Sequence, residues 1–199
     1  MAFCDARTSY LFNAYIYSGR GSDGKELSID EKHLSVLTQA VLQLCKPIYG
    51  SNRNITTDNW FSSIQVVDKL LEKKLTYVGM LKKNKREIPI EFLPSKNRAE
   101  NSSLYGFTSN KILLSYVPKK NKAVIMISSM HRNKATDADT GKEEIISFAN
   151  STKDEVDSLD QKCATFSTSR RTRRWPMAIF LHLLNISSVN SCFIYMHKK

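Results

Sequence analysis

The stretch ITTDNWF, residues 55–61, together with SSIQVVDKLLEKKLTYVGML at 62–81, decides the fold. Ile55-Thr56-Thr57 is β-branched and reads as a short strand. It runs straight into Asp58, with Asn59, Trp60 and Phe61 behind. Strands disfavour Asp, and a buried Asp needs a partner, so a strand ending on a carboxylate is itself a signal. Ser62-x-x-Gln65 has the form of a capping box, and Ile64, Val67 and Leu71 follow at helical spacing. Leu75–Leu81 then reads as a second strand. Strand, helix and strand in this order predict an α/β core with some parallel pairing. Trp60 and Phe61 are expected to pack between the strand and the helix and so hold Asp58 in place.

The same alternation extends toward the N-terminus. Ala2-Phe3-Cys4 looks like the end of a strand leading directly into Asp5, and Tyr10–Tyr17 like another strand. Gly21–Gly24 is a turn. Ser28-x-x-Glu31 is a second capping-box pattern, with Leu34, Leu37, Val41 and Leu44 inward on a helix that stops near Pro47 and Gly50. Beyond residue 81 the pattern changes. Lys82–Glu100 is charged and irregular. Leu104–Phe107, Ile112–Val117 and Val124–Ser128 read as three short strands of an antiparallel insertion, followed by a polar loop at Asn133–Lys142. Helices are expected from Thr152 onward, with a break over Ser167–Trp175. The chain thus divides into residues 1–81, the first part of a core; 82–145, a β-rich insertion; and 146–199, a helical completion.

With 199 residues, 41% hydrophobic and 25% charged, the chain suits a globular domain with a sizeable core. Its formal net charge of +11 points to a polyanion, with nucleic acid ahead of an anionic membrane. The four cysteines, Cys4, Cys45, Cys163 and Cys192, form no C-x-x-C pair and suit reduced, mostly buried thiols. Met1–Asp5 lacks the basic start and apolar run of a signal peptide. The long apolar stretch Met177–Met196 carries His182, Asn185 and Asn190, and is expected to be a buried helix rather than a membrane span.

Asp5 and Asp58 each close a strand, and strand ends in an α/β sheet are where ligands and metals sit. A third acidic cluster spans Asp154–Asp160. If it is helical, Val156, Leu159, Cys163 and Phe166 form its apolar face, while Asp157 and Asp160 stand at i and i+3 on a neighbouring face. Hard cations such as Mg²⁺ take one or two carboxylates plus waters and phosphate oxygens. Two such ions about 4 Å apart can activate water and stabilise the leaving oxygen in phosphodiester cleavage. Each aspartate also has a purely structural alternative. Asp5 could pair with Arg7, Asp58 could cap a turn, and Asp157 could pair with Lys153.

Six motifs in order, CDARTSY (4–10), GR (19–20), NITTDNWF (54–61), VG with NKREIP (78–79, 84–89), VDSLDQKC (156–163) and SRRTRRWPMAI (169–179), give the chain its resemblance to the piggyBac transposases and the host proteins derived from them. The resemblance implies an RNase H-like α/β core with an inserted small antiparallel β region and C-terminal helices. It implies metal-dependent DNA cleavage and transfer, with a two-metal site of Mg²⁺ or Mn²⁺, element ends as substrate and TTAA targets. By motif, Asp5, Asp58 and Asp157 stand as catalytic and metal-binding residues, and Asp160 as a further metal-binding residue. The resemblance further implies a nuclear location, DNA and no membrane as partner, and a homodimer for a full-length protein. The chain departs from the family in having Asp154-Glu155 where a Gly-Gly pair is usual. It also starts at the first catalytic strand and lacks a cysteine-rich module, so a truncated or domesticated copy is expected, with a catalytically inactive DNA-binding remnant as the alternative.

Two basic runs complete the pattern. Arg170, Arg171, Arg173 and Arg174 precede Trp175, and arginine pairs bidentately with phosphate. Lys82, Lys83, Lys85 and Arg86 follow the strand at 75–81 and could deliver cations to DNA. Trp175 is expected to pack into the core.

Overall fold

The computed structural model describes residues 1–19, 21–136 and 141–197. Arg20 of the GR motif and positions 137–140 of the expected polar loop lie outside the described residues. The chain forms two compact units, one of Tyr17–Ser151 and one of Met1–Ile16 with Thr152–Lys199.

The larger unit is built on a five-stranded mixed sheet. Its strands are β3 (Asn54–Thr57), β4 (Thr76–Leu81), β5 (Ser103–Phe107), β6 (Ile112–Lys119) and β7 (Lys122–Ser128), in the order β3-β4-β7-β6-β5. Helices α1 (Val36–Cys45) and α2 (Ile64–Glu72) precede β3 and β4 respectively. As the opening stretch predicts, β3 and β4 run parallel, from Asn54↔Thr76 to Thr57↔Gly79, with α2 as the crossover. The three later strands are antiparallel, and β7 lies directly beside β4, from Val78↔Ser128 to Leu81↔Ile125. They therefore continue the sheet that β3 and β4 begin. Helix α3 (Glu144–Thr152) starts ahead of the expected Thr152. It lays Ile145 and Ala149 onto Val78, Ile112, Leu114 and Met126. Fully burying a large aliphatic side chain of this kind contributes about 1.5–3 kcal/mol.

The caps of this unit differ from the sequence patterns for a physical reason. Ser63, not Ser62, caps α2, its Oγ accepting from Val66 N at 3.1 Å. Ser62 is engaged elsewhere, its buried hydroxyl lying 2.7 Å from the Tyr77 phenol. Gln65 Oε1 accepts instead from Ser35 N at 3.2 Å and Thr38 Oγ1 at 2.9 Å, tying α2 to the start of α1. The buried residues of α2 are Val66, Val67 and Leu70 rather than Ile64, Val67 and Leu71. At Ser28, Glu31 does reach back, Oε2 accepting from Ser28 N at 3.2 Å, but it closes a 3₁₀ turn at Asp30–His33; α1 itself starts at Val36 under a Ser35 cap.

The smaller unit pairs β1 (Ala2–Cys4) antiparallel with β2 (Leu11–Ala14), and adds α4 (Glu155–Thr165) and α5 (Trp175–Met196). Leu159 and Cys163 bury the inner face of α4. Phe166, expected on that face, is exposed because it lies past the last helical turn, at the C-cap. Helix α5 also departs from expectation. It is long and apolar enough to cross a membrane by length and composition, yet among its described residues only Asn185 is buried. Its apolar residues surround the axis instead of forming one stripe, so packing on one side leaves Phe180, Leu183 and Leu184 in solvent. Two asparagines anchor the packed side. Asn190 exchanges both side-chain hydrogen bonds with the backbone of Leu11, at 2.9 and 3.0 Å, and Asn185 Oδ1 accepts from Thr168 N at 2.9 Å.

Candidate active site

Asp58 stands one residue beyond β3 and is exposed. Its Oδ1 accepts from Asn59 N at 2.6 Å, and its carbonyl accepts from Phe61 N at 3.1 Å. The turn rests on a small hydroxyl cluster. The Tyr77 phenol, 0% exposed, lies 2.6 Å from Thr57 Oγ1 and 2.7 Å from Ser62 Oγ. Both hydroxyls in turn donate to the Asp58 carbonyl, Ser62 at 3.1 Å and Thr57 at 3.2 Å. Burial pushes the Tyr77 phenol up to about 12, so it remains a neutral donor. The ring fits because position 79 is glycine; a Cβ there would lie 2.8 Å from Tyr77 Cζ. This explains the VG pair at 78–79 in steric terms. Tyr77 escapes a reading based on apolar runs, although a tyrosine inside a buried strand must find a partner for its hydroxyl, and that requirement was the available signal.

The tryptophan beside Asp58 is not core packing. Trp60 is 57% exposed, and Lys82 Nζ sits 3.9 Å over its ring. The ring therefore orients a cation at the surface, while half-buried Phe61 takes the inward position.

In the smaller unit, Asp5 directly follows β1 and folds its loop around its own carboxylate. Oδ1 accepts from Arg7 N at 3.0 Å and from Thr8 Oγ1 at 2.8 Å. Arg7 thus binds Asp5 through its backbone. Asp157 and Asp160 lie in the first half of α4, both exposed, and no ion pair engages either among the described residues. The Lys153 alternative for Asp157 is not formed. The Cys4 thiol is pushed up to about 12, first by burial and then by the charges of Asp160, Glu155, the neighbouring Cys163 and Asp5. Asp5, Asp157 and Asp160 belong to this unit and Asp58 to the other.

Among the described residues, no three His, Cys, Asp or Glu side chains form a group able to hold a metal ion. Hydrated Mg²⁺ asks for less, one or two carboxylates with the remaining positions filled by water and phosphate. Asp157 and Asp160 meet that requirement, being exposed oxygen donors one helical turn apart with no cation paired to them among the described residues. The donor chemistry fits a hard divalent ion.

Arg170, Arg171, Arg173 and Arg174 are all exposed on the segment leading into α5, and no ion pair engages them among the described residues. Trp175 is 73% exposed, not in the core, and stands at the first position of α5 beside the likewise exposed Arg174 and Pro176. Lys82, Lys83, Lys85 and Arg86 lie on two successive turns after β4, closed by Lys85 N on the Lys82 carbonyl and Ile88 N on the Lys85 carbonyl, each at 3.3 Å. Lys83 and Arg86 are exposed, and Lys82 and Lys85 half-buried.

The chain is 40% identical to a piggyBac transposase solved by cryo-EM as a synaptic complex with hairpin DNA, with a TM-score of 0.88. The match covers 98% of this chain and 40% of that one, so the chain spans 40% of the length of the protein it resembles. The fold is thus the mixed α/β, RNase H-like fold of a transposase catalytic domain. Residues 1–192 match the family model described as Transposase IS4, and the chain belongs to that DDE-type transposase family.

Proposed function

We propose that this chain is the catalytic core of a piggyBac-like DDE/D transposase, cutting and transferring DNA strands with Mg²⁺ or Mn²⁺. The observation that carries the reading is 40% identity at a TM-score of 0.88 across nearly the whole chain. Asp5, Asp58 and Asp157 are the catalytic carboxylates, with Asp160 as an additional ligand. Asp5, Asp58, Asp157 and Asp160 would hold the divalent ions, which when bound would supply positive charge to the phosphate and lower the pKa of an attacking water. The chain's own residues do the rest. The hydroxyl cluster under Asp58 fixes the turn that presents its carboxylate. Lys82, Lys83, Lys85 and Arg86, with Arg170, Arg171, Arg173 and Arg174, bind the DNA backbone, which sets register without reading sequence. TTAA targets, a homodimer for a longer protein and a nuclear location belong to the same reading.

Manganese titration of the purified chain, with and without Asp58→Ala, tests the metal site. The variant is expected to lose Mn²⁺ binding, and equal affinity in the two proteins would sink the proposal. A second reading, a catalytically silent DNA-binding remnant, is favoured by Asp154-Glu155, which adds two carboxylates beside the α4 ligands. Nicking of DNA carrying element ends separates the two, since a remnant binds without cutting.

A further inference from the structure

Glu155 opens α4, and its carboxylate has a specific use here. Glu155 Oε2 accepts from Ser9 Oγ at 2.6 Å. Lys162 Nζ donates to the same hydroxyl at 2.9 Å. Ser9 is thus gripped by two residues of α4, one on each side of the segment that carries Asp157 and Asp160. Ser9 is 2% exposed and has φ +56°, a left-handed conformation that serine adopts only when its surroundings hold it there.

The other end of the same loop is Asp5. Ser9 N donates to the Asp5 carbonyl at 3.1 Å, and Tyr10 N donates to Thr8 Oγ1 at 3.2 Å, while that Thr8 hydroxyl donates to Asp5 Oδ1 at 2.8 Å. Hydrogen bonds from Glu155 and Lys162 thus hold Ser9, whose own N–H holds the Asp5 carbonyl, while the adjacent Thr8 hydroxyl holds the Asp5 carboxylate. All of these residues belong to one unit.

We propose that Glu155 is a positioning residue: through Ser9, and with Lys162 on the same hydroxyl, it sets where Asp5 stands relative to Asp157 and Asp160. The inference rests on the carboxylate reading above. Without the Glu155 carboxylate the Ser9 hydroxyl loses this acceptor, and the loop relies on Lys162 alone.

The test uses the full chain and Mn²⁺ as the probe, read by electron paramagnetic resonance of the free ion, with amide hydrogen exchange over residues 5–10 as a second measurement. Glu155→Ala and Ser9→Ala are expected to weaken Mn²⁺ binding by about tenfold, the lower range for groups that orient a metal ligand. They should also speed exchange at Ser9 and Tyr10. Glu155→Gln still accepts from the Ser9 hydroxyl and is expected to restore slow exchange and most of the affinity. Rescue of this kind marks hydrogen-bond acceptance as the operative property. Asp157→Ala is the control for the metal site. If Asp157→Ala abolishes binding while Glu155→Ala binds as wild type, the positioning role is overturned and the site stands. If Asp157→Ala binds normally, the carboxylate reading fails, and unchanged exchange in Glu155→Ala would then overturn the clamp on its own.

Discussion

Replacing Tyr77 by phenylalanine removes one oxygen from the interior and nothing else. That oxygen is fully buried and lies 2.6 and 2.7 Å from the hydroxyls of Thr57 and Ser62. Both hydroxyls keep a second partner, the Asp58 carbonyl, so neither is wholly orphaned. The cost at neutral pH is therefore set near the lower part of the usual range, about 1–2 kcal/mol. For a chain of this size that lowers the melting temperature by roughly 2–8 °C. The pH dependence is the sharper readout. The folded-state value of Tyr77 rises from 10.0 to about 12, chiefly by burial. Its protonated form is the one the fold holds, so its contribution is complete below pH 10 and is lost as pH rises through 12. The loss over that window is about 3 kcal/mol. Tyr77→Phe has no such group, so the stability gap between the proteins should narrow from about pH 10 upward. Urea denaturation at about pH 7 and in steps to about pH 11.5 measures both effects. A variant as stable as wild type at neutral pH, or a gap that does not change with pH, would refute the account of the hydroxyl cluster.

Two further outcomes test the same surfaces. Gly79→Ala pushes a methyl against the locked Tyr77 ring and is expected to cost about 1–3 kcal/mol, measurable in the same denaturation series; in the Tyr77→Ala background, where the ring is gone, the penalty of the glycine change should vanish. Changing Arg170, Arg171, Arg173 and Arg174 together to alanine should weaken binding to duplex DNA. It should also flatten the salt dependence by about 0.9 in log–log slope for each phosphate no longer neutralised, read by fluorescence anisotropy across salt concentrations. A slope equal to wild type would remove these arginines from the interface.

Much of this protein was legible in its residue order. Ile55–Thr57 ending on Asp58, then a helical run and Leu75–Leu81, predicted the parallel β3-α2-β4 unit, because these elements are set by local periodicity and branching. The three later strands were legible for the same reason, and so was an α4 that places Asp157 and Asp160 one turn apart. Where the sequence pattern and the structure part, a distant partner is responsible. Ser62 has the spacing of a cap but is claimed by Tyr77, so Ser63 takes its place. Trp60 and Trp175 have the composition of core residues, yet their burial depends on what lies above them, and the structure leaves both in solvent. Helix α5 was expected to be buried by its apolarity, but apolarity all around an axis does not say which side is covered. The grip of Glu155 on Ser9 joins residues 146 positions apart, and no local pattern carries such a contact. Chain order alone thus determined the elements and the carboxylates they end on, because both follow from neighbouring residues. Only the tertiary structure decided which hydroxyls hold those carboxylates in place, because hydrogen bonds between remote segments exist only once the chain has folded.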